Sequence, residues 1–362
     1  MMEFERWFRV MVDQEASDLF LKAGHQPMMR VNGELVPADA QRLSHEQLLA
    51  FAAELIGPER QQLLRTEREL NFAFQRNGSG RFRANVLWQQ GAMALVIRRI
   101  QRVMPSFDEL HLPGAVLTKL AAESSGLVLM TGPTGTGKST ATAAILDHIN
   151  RTTAKHILTL EDPIEFQFAE HQAIINQREV GTDTRSFSEG LRNALRQSPD
   201  VLYVSDIRDQ ETMEACLQAA EAGQLVLSCI HTTNAVTTVE RLVAFFPPHQ
   251  QVLIRLRLSL VLKGIVSLRL LNRADGAGRI PAYEVLVATP TVRECLREGR
   301  TDQLPLVMAD SAMFGMQTLL QSLYQRCRSG EVTVQEALQY ADSPEELQLK
   351  LREIRATRDV HP

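Results

Sequence analysis

A glycine-rich stretch at residues 132–140 constrains the fold of this chain more than any other feature. It reads Gly132-Pro133-Thr134-Gly135-Thr136-Gly137-Lys138-Ser139-Thr140. It follows the apolar run 127–130 and precedes a segment of helical character from 141 to 149. Glycines let consecutive backbone N–H groups curl around a phosphate, and the N-terminus of the following helix adds a positive dipole. The order strand, loop, helix therefore predicts a P-loop within an α/β fold.

The polar residues of this loop have distinct predicted tasks in binding ATP together with Mg²⁺. Lys138 is expected to reach the β- and γ-phosphates, and the Ser139 hydroxyl is expected to bind Mg²⁺. Thr140 is expected to line the first turn of the helix. A chance glycine-rich turn is the alternative, and it is disfavoured because both flanking elements of the motif are present. We therefore predict that the whole stretch 132–140 binds nucleotide.

Size and composition set broad limits on the protein. A chain of 362 residues with 44% hydrophobic content is long enough for about two or three domains with buried cores. The net charge of −4 provides no general attraction to DNA, RNA or anionic lipid, so no nucleic-acid partner is expected. The first residues are acidic where a secretion signal needs basic ones, and no apolar run approaches the roughly 18 residues of a membrane span. A cytoplasmic location is expected.

The cysteines add little chemistry. Cys216, Cys229, Cys295 and Cys327 are scattered and form no Cys-x-x-Cys pair. Neither a zinc knuckle nor a disulfide framework is therefore expected. They are interpreted as small apolar residues of a reduced interior.

Residues 1–100 are predicted to form a small mixed α/β domain. Short apolar segments bounded by turn residues predict strands at 18–21, 28–31, 34–36, 70–74, 81–88 and 92–97. Asn32-Gly33 predicts a two-residue hairpin turn, and 77–80 predicts a second turn. A helix with apolar residues from 48 to 56 is expected to close at Gly57-Pro58. Residues 101–113, which include Pro105, are predicted to form a linker.

Residues 114–289 are predicted to form the P-loop domain. Strands are expected at 127–130, 156–160, 201–204 and 225–230, and they alternate with helical segments. This alternation predicts a parallel sheet with both faces covered. Residues 290–362 are predicted to be helical, with segments at 292–298, 315–327, 334–340 and 344–354.

Polar residues follow several of these predicted strands, where ligands bind in parallel sheets. Glu161, Asp162 and Glu165 follow one strand, and a solvated acidic turn is the alternative to a metal or water role. Asp206 ends another strand and is predicted to lie beside nucleotide-bound Mg²⁺. His231 follows a third and is predicted to contact the γ-phosphate region, although a lone histidine is more often structural.

Arginines occur on the strands of the first domain. Arg81 and Arg83 alternate to one face of a strand, and Arg98 and Arg99 end another. Their guanidinium groups are candidates for contacts with a nucleotide on a neighbouring subunit. Composition alone favours the alternative, in which they solubilise a sheet face.

These motifs in this order resemble the PilT/PilU retraction ATPases of type IV pili, a group of secretion-type hexameric ATPases. The resemblance extends over nearly the whole chain. The matching segments are 17–24, 80–85, 132–140, 160–166, 175–181, 194–200, 207–209, 230–233 and 315–317.

The resemblance implies a fold, an assembly and a cellular task. It implies a PAS-like N-terminal domain, a RecA-like motor domain and a helical C-terminal region, assembled as a homo-hexamer. Nucleotide is expected between the two domains, within reach of arginines from nearby subunits, for which Arg81, Arg83 and Arg98 are the candidates. Glu165 matches the acidic-box glutamate and His231 the histidine of the family. The implied function is pilus retraction in twitching motility, and the implied target of the motor is an inner-membrane platform protein. The implied location is peripheral, at the inner face of the cytoplasmic membrane. The chain would work alone or beside a paralogous retraction ATPase.

The chain departs from the family pattern at several positions. Ser205-Asp206 stands where the family usually has Gly-Glu, Gln224 where it usually has His, and 89–91 lacks a frequent arginine. Asp is one methylene shorter than Glu, so slow turnover or a compensating backbone shift is expected. Met213, residues 178–181 and the altered Ser205-Asp206 pair favour the PilU-like accessory branch, and 292–298 only partly resembles a PilT helix motif.

Three other functions stay open at this point. The first is an attenuated nucleotide-binding partner of another pilus motor. The second is an assembly ATPase of type II secretion or pilus extension, although those proteins commonly have a tetracysteine site that is not visible here. The third is a RecA-like nucleic-acid motor, which the acidic balance disfavours.

Overall fold

A computed structural model describes residues 2–31, 33–76, 78–100 and 104–358. They form two compact units, one made of 2–100 with 163–167 and the other of 104–162 with 168–358. The predicted turn residues Asn32 and Asn77 and the first part of the predicted linker, 101–103, lie outside the described residues. The domain boundaries at 100, 113 and 289 stay predictions.

The first unit contains two helices and an antiparallel sheet. Its helices are α1 (Met2–Asp13) and α2 (His45–Glu67). Its strands are β1 (Asp18–Lys22), β2 (Met28–Val31), β3 (Glu34–Pro37), β4 (Glu69–Arg76), β5 (Gly80–Gln89) and β6 (Ala92–Arg99). The strand order is β3-β2-β1-β6-β5-β4, and every pair is antiparallel. All six strands predicted in this region are therefore confirmed.

Strand β5 shows why this sheet has one apolar and one polar face. Phe82, Ala84 and Val86 are buried, whereas Arg81 and Arg83, which alternate with them, are half-buried on the opposite face. Successive side chains of a strand point to opposite faces, so the alternation Arg-Phe-Arg-Ala places both arginines on one side. The predicted shared face of these arginines is confirmed.

Helix α2 consists of two helical segments that meet at Gly57. The predicted end of the first segment at Gly57-Pro58 is confirmed, because Gly57 is non-helical, and a second segment that was not predicted continues to Glu67. Gly57 has φ 66° and ψ 171°, a conformation that glycine adopts without steric cost, so the chain turns there and resumes its helix. The start at His45 is fixed by a capping box between Ser44 and Gln47.

The second unit contains the remaining strands and helices. Its strands are β7 (Gly126–Thr131), β8 (His156–Glu161), β9 (Ile174–Glu179), β10 (Val201–Val204), β11 (Leu225–Ile230), β12 (Leu262–Asn272) and β13 (Arg279–Val287). Its helices are α3 (Gly114–Ala121), α4 (Lys138–Thr152), α5 (Phe187–Ala194), α6 (Gln210–Glu221), α7 (Ala235–Ala244), α8 (Pro248–Val261), α9 (Pro290–Glu298), α10 (Leu304–Asp310), α11 (Leu319–Arg328), α12 (Val334–Tyr340) and α13 (Pro344–Arg358). The strand order is β13-β12-β7-β11-β10-β8-β9.

Helices cover both faces of this sheet. On β7, Leu127 and Leu129 belong to one core with residues of α6, α7 and α8, whereas Val128 and Met130 belong to a second core with α3 and α4. A strand buried on both faces has no polar alternation, which explains the continuous apolar runs of the sequence. Buried Cys216, Cys229 and Cys295 are part of these cores, as predicted.

The sheet differs from the expected one at both edges. The four predicted strands are present and parallel, but β9, β12 and β13 were not predicted. The predicted parallel sheet is confirmed for β7 to β12, and β13 adds an edge strand that pairs with β12 in antiparallel register. The turn between them spans 273–278, longer than the two-residue hairpin turns that sequence patterns reveal most readily.

The C-terminal region is helical, as predicted, with one corrected boundary. The helix expected to begin at Gly315 begins at Leu319. Gly315 is left-handed with φ 83°, and the Thr318 side chain accepts a hydrogen bond from the Gln321 N–H, which marks the true start. Among the described residues, no helix combines the length and the apolar character that crossing a membrane requires.

Candidate functional site

The glycine-rich loop leads from β7 directly into α4. Gly132, Gly135 and Gly137 have φ values of 142°, 82° and 91°, which favour glycine. A Cβ on Gly132 would lie 2.6 Å from both the Leu268 carbonyl oxygen and the Thr136 hydroxyl. Glycine at 132 is therefore required by close packing as well as by backbone conformation. The strand, loop and helix of the predicted P-loop are all present.

Lys138 is held on the loop by its own backbone. Its ammonium group donates to the carbonyl oxygens of Gly132 at 2.8 Å and Pro133 at 2.9 Å. It also lies 3.2 Å from Nδ1 of His231, and Lys138 is only 7% exposed. Carbonyl dipoles and a ring nitrogen thus fix the positive charge at the start of α4.

His231 joins the P-loop lysine to a carboxylate. An ammonium group only donates hydrogen bonds, so Nδ1 of His231 accepts and the ring proton of the neutral imidazole is assigned to Nε2. That Nε2 lies 3.6 Å from Oδ2 of Asp206. Strands β7, β11 and β10 are neighbours in the sheet, so their carboxyl ends bring Lys138, His231 and Asp206 together.

Asp206 is buried, and one of its two carboxylate oxygens accepts a hydrogen bond from a described residue. Its Oδ2 accepts from Nε of Arg208 at 2.8 Å, whereas its Oδ1 is buried and has no hydrogen-bond partner in the part of the chain that the structure describes. Arg208 also donates to Asp162 at 3.1 Å, and its bond with Asp206 raises the pKa of the guanidinium. Sequence reasoning did not assign a role to Arg208, although an arginine two residues after a strand-end acid was a visible signal.

The three carboxylates of the predicted acidic box have different environments. Glu161 is buried and accepts from Thr159 at 2.7 Å and from Gln177 at 3.1 Å. Asp162 is exposed and pairs with Arg208. Glu165 is also exposed and lies in the segment 163–167 that belongs to the first unit. Within the described ranges, no group of three or more His, Cys, Asp or Glu residues could hold a metal ion alone.

Two of the three departures from the family pattern, Ser205-Asp206 and Gln224, lie in the second unit at opposite ends of its sheet. Ser205 precedes Asp206, and its hydroxyl accepts from the Asp162 N–H at 3.2 Å, a contact that glycine could not make. Gln224 precedes β11 at Leu225, which pairs with Gly126 at the start of β7. The P-loop begins at the other end of β7, roughly 16 Å further along the strand. Gln224 is therefore not a neighbour of the loop.

The candidate arginines lie on the sheet of the first unit. Arg98 pairs with buried Asp18 at 2.8 Å, although its own side chain is 68% exposed. Arg99 donates to the Val12 carbonyl at 3.5 Å. Arg98 and Arg99 therefore have partners within their own unit, and the predicted roles of Arg81, Arg83 and Arg98 on a neighbouring subunit stay predictions.

Comparison with known proteins identifies relatives over nearly the full length of the chain. The family profile described as Type II/IV secretion system protein matches residues 11–339. The type IV pilus ATPase PilU of Pseudomonas aeruginosa is 40% identical over 97% of this chain and 92% of its own length. The type IV pilus retraction ATPase PilT of the same organism is 39% identical over 92% of this chain and 96% of its own length.

The fold is also that of a solved relative. The crystal structure of the pilus retraction motor PilT with bound ADP superposes with a TM-score of 0.87, at 41% identity over 94% of this chain and 97% of that one. The predicted fold class is confirmed: an α/β chain with a PAS-like N-terminal domain, a RecA-like P-loop motor domain and a helical C-terminal region. The chain belongs to the Type II/IV secretion system protein family, among the PilT/PilU-type pilus retraction ATPases.

Proposed function

We propose that this chain is a Mg²⁺-dependent ATPase that works as a homo-hexamer and couples ATP hydrolysis to type IV pilus retraction. The main supporting observation is a chain of side-chain contacts, from Lys138 to His231 and from His231 to Asp206, at the ends of three neighbouring strands. These contacts link the phosphate-binding loop to a histidine and a carboxylate that change position when a γ-phosphate is bound or released. The similarity to PilT and PilU over nearly the full length supports the pilus role.

The residues present fit a magnesium–nucleotide complex. Mg²⁺ keeps several waters and usually takes only one or two protein ligands beside phosphate oxygens, so a cluster of acids is not needed. The proposed ligands, direct or through water, are the Ser139 hydroxyl at the start of α4 and Oδ1 of Asp206, which accepts no hydrogen bond from any described residue. When bound, Mg²⁺ would neutralise charge on the β- and γ-phosphates.

The remaining site residues divide the work of binding and hydrolysis. The N–H groups of the loop 132–140 bind the phosphates, and Lys138 exchanges its loop carbonyls for β- and γ-phosphate oxygens. His231, in contact with Lys138 and Asp206, contacts the γ-phosphate region. Glu165 orients the attacking water, as its match to the family's acidic box implies.

Hexamer formation would provide the mechanical step. ATP binding closes the first domain of one subunit onto the P-loop domain of the next, and hydrolysis with product release reopens it. Arg81, Arg83 and Arg98 are the proposed contacts with the neighbour's nucleotide, because a guanidinium fork suits phosphate oxygens. The motor would act on an inner-membrane platform protein from the cytoplasmic side, alone or beside a paralogous retraction ATPase.

An attenuated accessory ATPase is the second candidate, and Asp206 favours it. The shorter side chain sits where relatives usually have Glu, and its Oδ2 is already bonded to Arg208 at 2.8 Å. Reach and orientation toward a water or metal are thereby restricted. In the Asp206→Glu variant, a gain in kcat would identify the native site as attenuated, whereas a loss would show that the surrounding network is built for Asp.

The test of the proposed function is phosphate release from ATP by the purified hexamer. Activity is expected to require Mg²⁺ and to fall to background in Lys138→Ala. Lys119→Ala is the matched control, because Lys119 is exposed on α3. A verified hexamer without activity above background would instead support a nucleotide-binding partner of another motor.

A further inference from the structure

A row of buried polar side chains crosses three strands beside the P-loop. Thr131 pairs in register with Ser267, and Ser267 pairs with Glu284. The Thr131 hydroxyl donates to the Ser267 hydroxyl at 2.8 Å, and the exposures of the three residues are 0%, 2% and 6%. Burying polar groups is costly unless they are hydrogen-bonded, so such a row needs specific partners. Thr131 is also the residue directly before Gly132 of the loop.

Arg269 extends this row and connects two parts of the site. It pairs with Ala282 on β13, which makes it a diagonal neighbour of Glu284 on the same face, and it is only 7% exposed. Its guanidinium donates to the Thr233 carbonyl at 2.7 Å and to the Leu268 carbonyl at 3.1 Å. The Leu268 carbonyl is the one that packs against Gly132. One buried guanidinium thus joins the wall of the P-loop to the turn that follows His231.

Glu284 holds the other side of that turn. Its Oε1 accepts from the N–H of Ala235 at 2.6 Å. Ala235 is the first residue of α7, where backbone N–H groups lack partners within the helix. The turn from His231 to Ala235 is therefore fixed at one carbonyl by Arg269 and at one amide by Glu284.

We propose that Arg269 and Glu284 are positioning residues for His231. By fixing Thr233 and Ala235 to the strands beside the P-loop, they set the distances from His231 to Lys138 and Asp206. This inference rests on the proposed ATPase function, since positioning matters only if His231 takes part in turnover. The competing explanation is that these two buried residues only stabilise the sheet and have no effect on the position of His231.

Arg326 provides a matched control within the same unit. Its guanidinium also donates to two carbonyls, Pro281 at 3.1 Å and His111 at 3.0 Å, and it pairs with Glu331 at 3.0 Å. It is largely buried at 15% side-chain exposure, and none of these partners belongs to the site. Arg326→Lys therefore removes the same fork geometry without touching the His231 turn.

The experiment compares Arg269→Lys and Glu284→Gln with Arg326→Lys and the wild type. Both test variants keep the size of the side chain, and kcat and KM for MgATP are measured together with the affinity for a fluorescent ADP analogue. Positioning predicts that kcat falls about tenfold or more in both, because supporting hydrogen bonds of a site typically contribute that much. KM and ADP affinity should stay near the wild-type values, and Arg326→Lys should stay near wild type throughout.

The pH dependence of kcat distinguishes a positioning role of Glu284 from a purely structural one, because a purely structural role would leave the pH profile unchanged. The pKa of Glu284 is raised to about 7, because the effects of burial and of nearby Asp342, which raise it, outweigh those of the Ala235 N–H and Arg269, which lower it. The ionised carboxylate is the stronger acceptor for the Ala235 N–H, so kcat should rise with pH through about 7 in the wild type. That rise should be absent from Glu284→Gln.

The outcomes separate the inference from the function on which it rests. Wild-type kcat and an unchanged pH profile in both test variants would overturn the inference and leave the proposed function intact. Loss of ADP affinity and thermal stability in parallel with kcat would also overturn it, in favour of a structural pair. If the wild-type hexamer itself releases no phosphate from MgATP, the proposed function fails instead.

Discussion

The two ends of the seven-stranded sheet are built from the same strands but differ in chemistry. At the carboxyl ends, β7, β11, β10 and β8 deliver the P-loop, His231, Asp206 and Glu161. At the amino ends, polar contacts mainly close the backbone, as where Gly126 donates to the Gln224 carbonyl and Asp200 accepts from the His156 N–H. A doubly covered sheet can therefore keep one end for stability and use the other for ligand chemistry.

The largest expected difference between the two ends comes from their histidines. His231→Ala removes the ring that contacts Lys138 and Asp206, so kcat for ATP is expected to fall about 100-fold. His156→Ala, at the start of β8, leaves its backbone bond to Asp200 in place and should change kcat by less than about twofold. Steady-state phosphate release measures both, and equal losses in the two variants would contradict the division.

Gly126 at the start of β7 and Gly132 directly after it allow effects on stability to be separated from effects on nucleotide binding. A Cβ on Gly126 would lie 2.6 Å from the Val261 carbonyl, and a Cβ on Gly132 would lie 2.6 Å from the Leu268 carbonyl. Both have positive φ values, 117° and 142°, so each change to Ala should cost about 1–3 kcal/mol in the free energy of unfolding.

Only the Gly132→Ala variant should also lose nucleotide affinity. Denaturant unfolding and titration with an ADP analogue on the same preparations separate the two effects. A Gly126→Ala variant that binds nucleotide as weakly as Gly132→Ala would break the comparison.

Glu284 lies beside the carboxyl end of β7, and its raised pKa leads us to expect a pH effect on stability at this end of the sheet. Its pKa is raised from 4.5 to about 7, so its carboxyl group stabilises the fold when protonated and this contribution is lost as pH rises through about 7. As the pH rises from 4.5 to about 7, the free energy of unfolding of the wild type should fall by up to about 3 kcal/mol relative to that of Glu284→Gln. Urea unfolding across this range measures the difference, and parallel curves for the two proteins would contradict the assignment.

The smallest effect is expected at Gln224. Restoring the usual family residue with Gln224→His changes only the amino end of β11, far from the P-loop along β7. We expect kcat to stay within about twofold of the wild type, because substitutions away from a site rarely shift energies by more than half a kilocalorie. A large gain in steady-state turnover would show that the amino end also controls the chemistry.

The carboxyl end of the sheet was largely predictable from sequence, because its signals are local. A glycine-rich loop, an acid or a histidine directly after an apolar run is visible without knowing which strands are neighbours. Their convergence follows from the parallel sheet, since the carboxyl ends of parallel strands meet at one edge. Contacts such as Lys138 to His231 are then a consequence of strand order.

Several other features were missed, and the strand pairings among them depend on contacts between residues distant in sequence. The pairing of β12 with β13 is joined by the longer turn 273–278, and β9 is a mainly polar edge strand. Arg269 and Glu284 are buried charged residues within mainly apolar strands, a signal that was available but was not used. At Gly57 the predicted helix end was correct, and only the second helical segment, which continues to Glu67, was missed.

The central claim is that the loop carrying Lys138 binds the phosphates of a nucleotide at the carboxyl end of the sheet. Isothermal titration calorimetry with MgATP on wild type and Lys138→Ala tests it most directly. The account predicts saturable heat of binding for the wild type and at least about tenfold weaker binding for the variant. No heat with properly folded wild type, or equal affinity in both proteins, would contradict it.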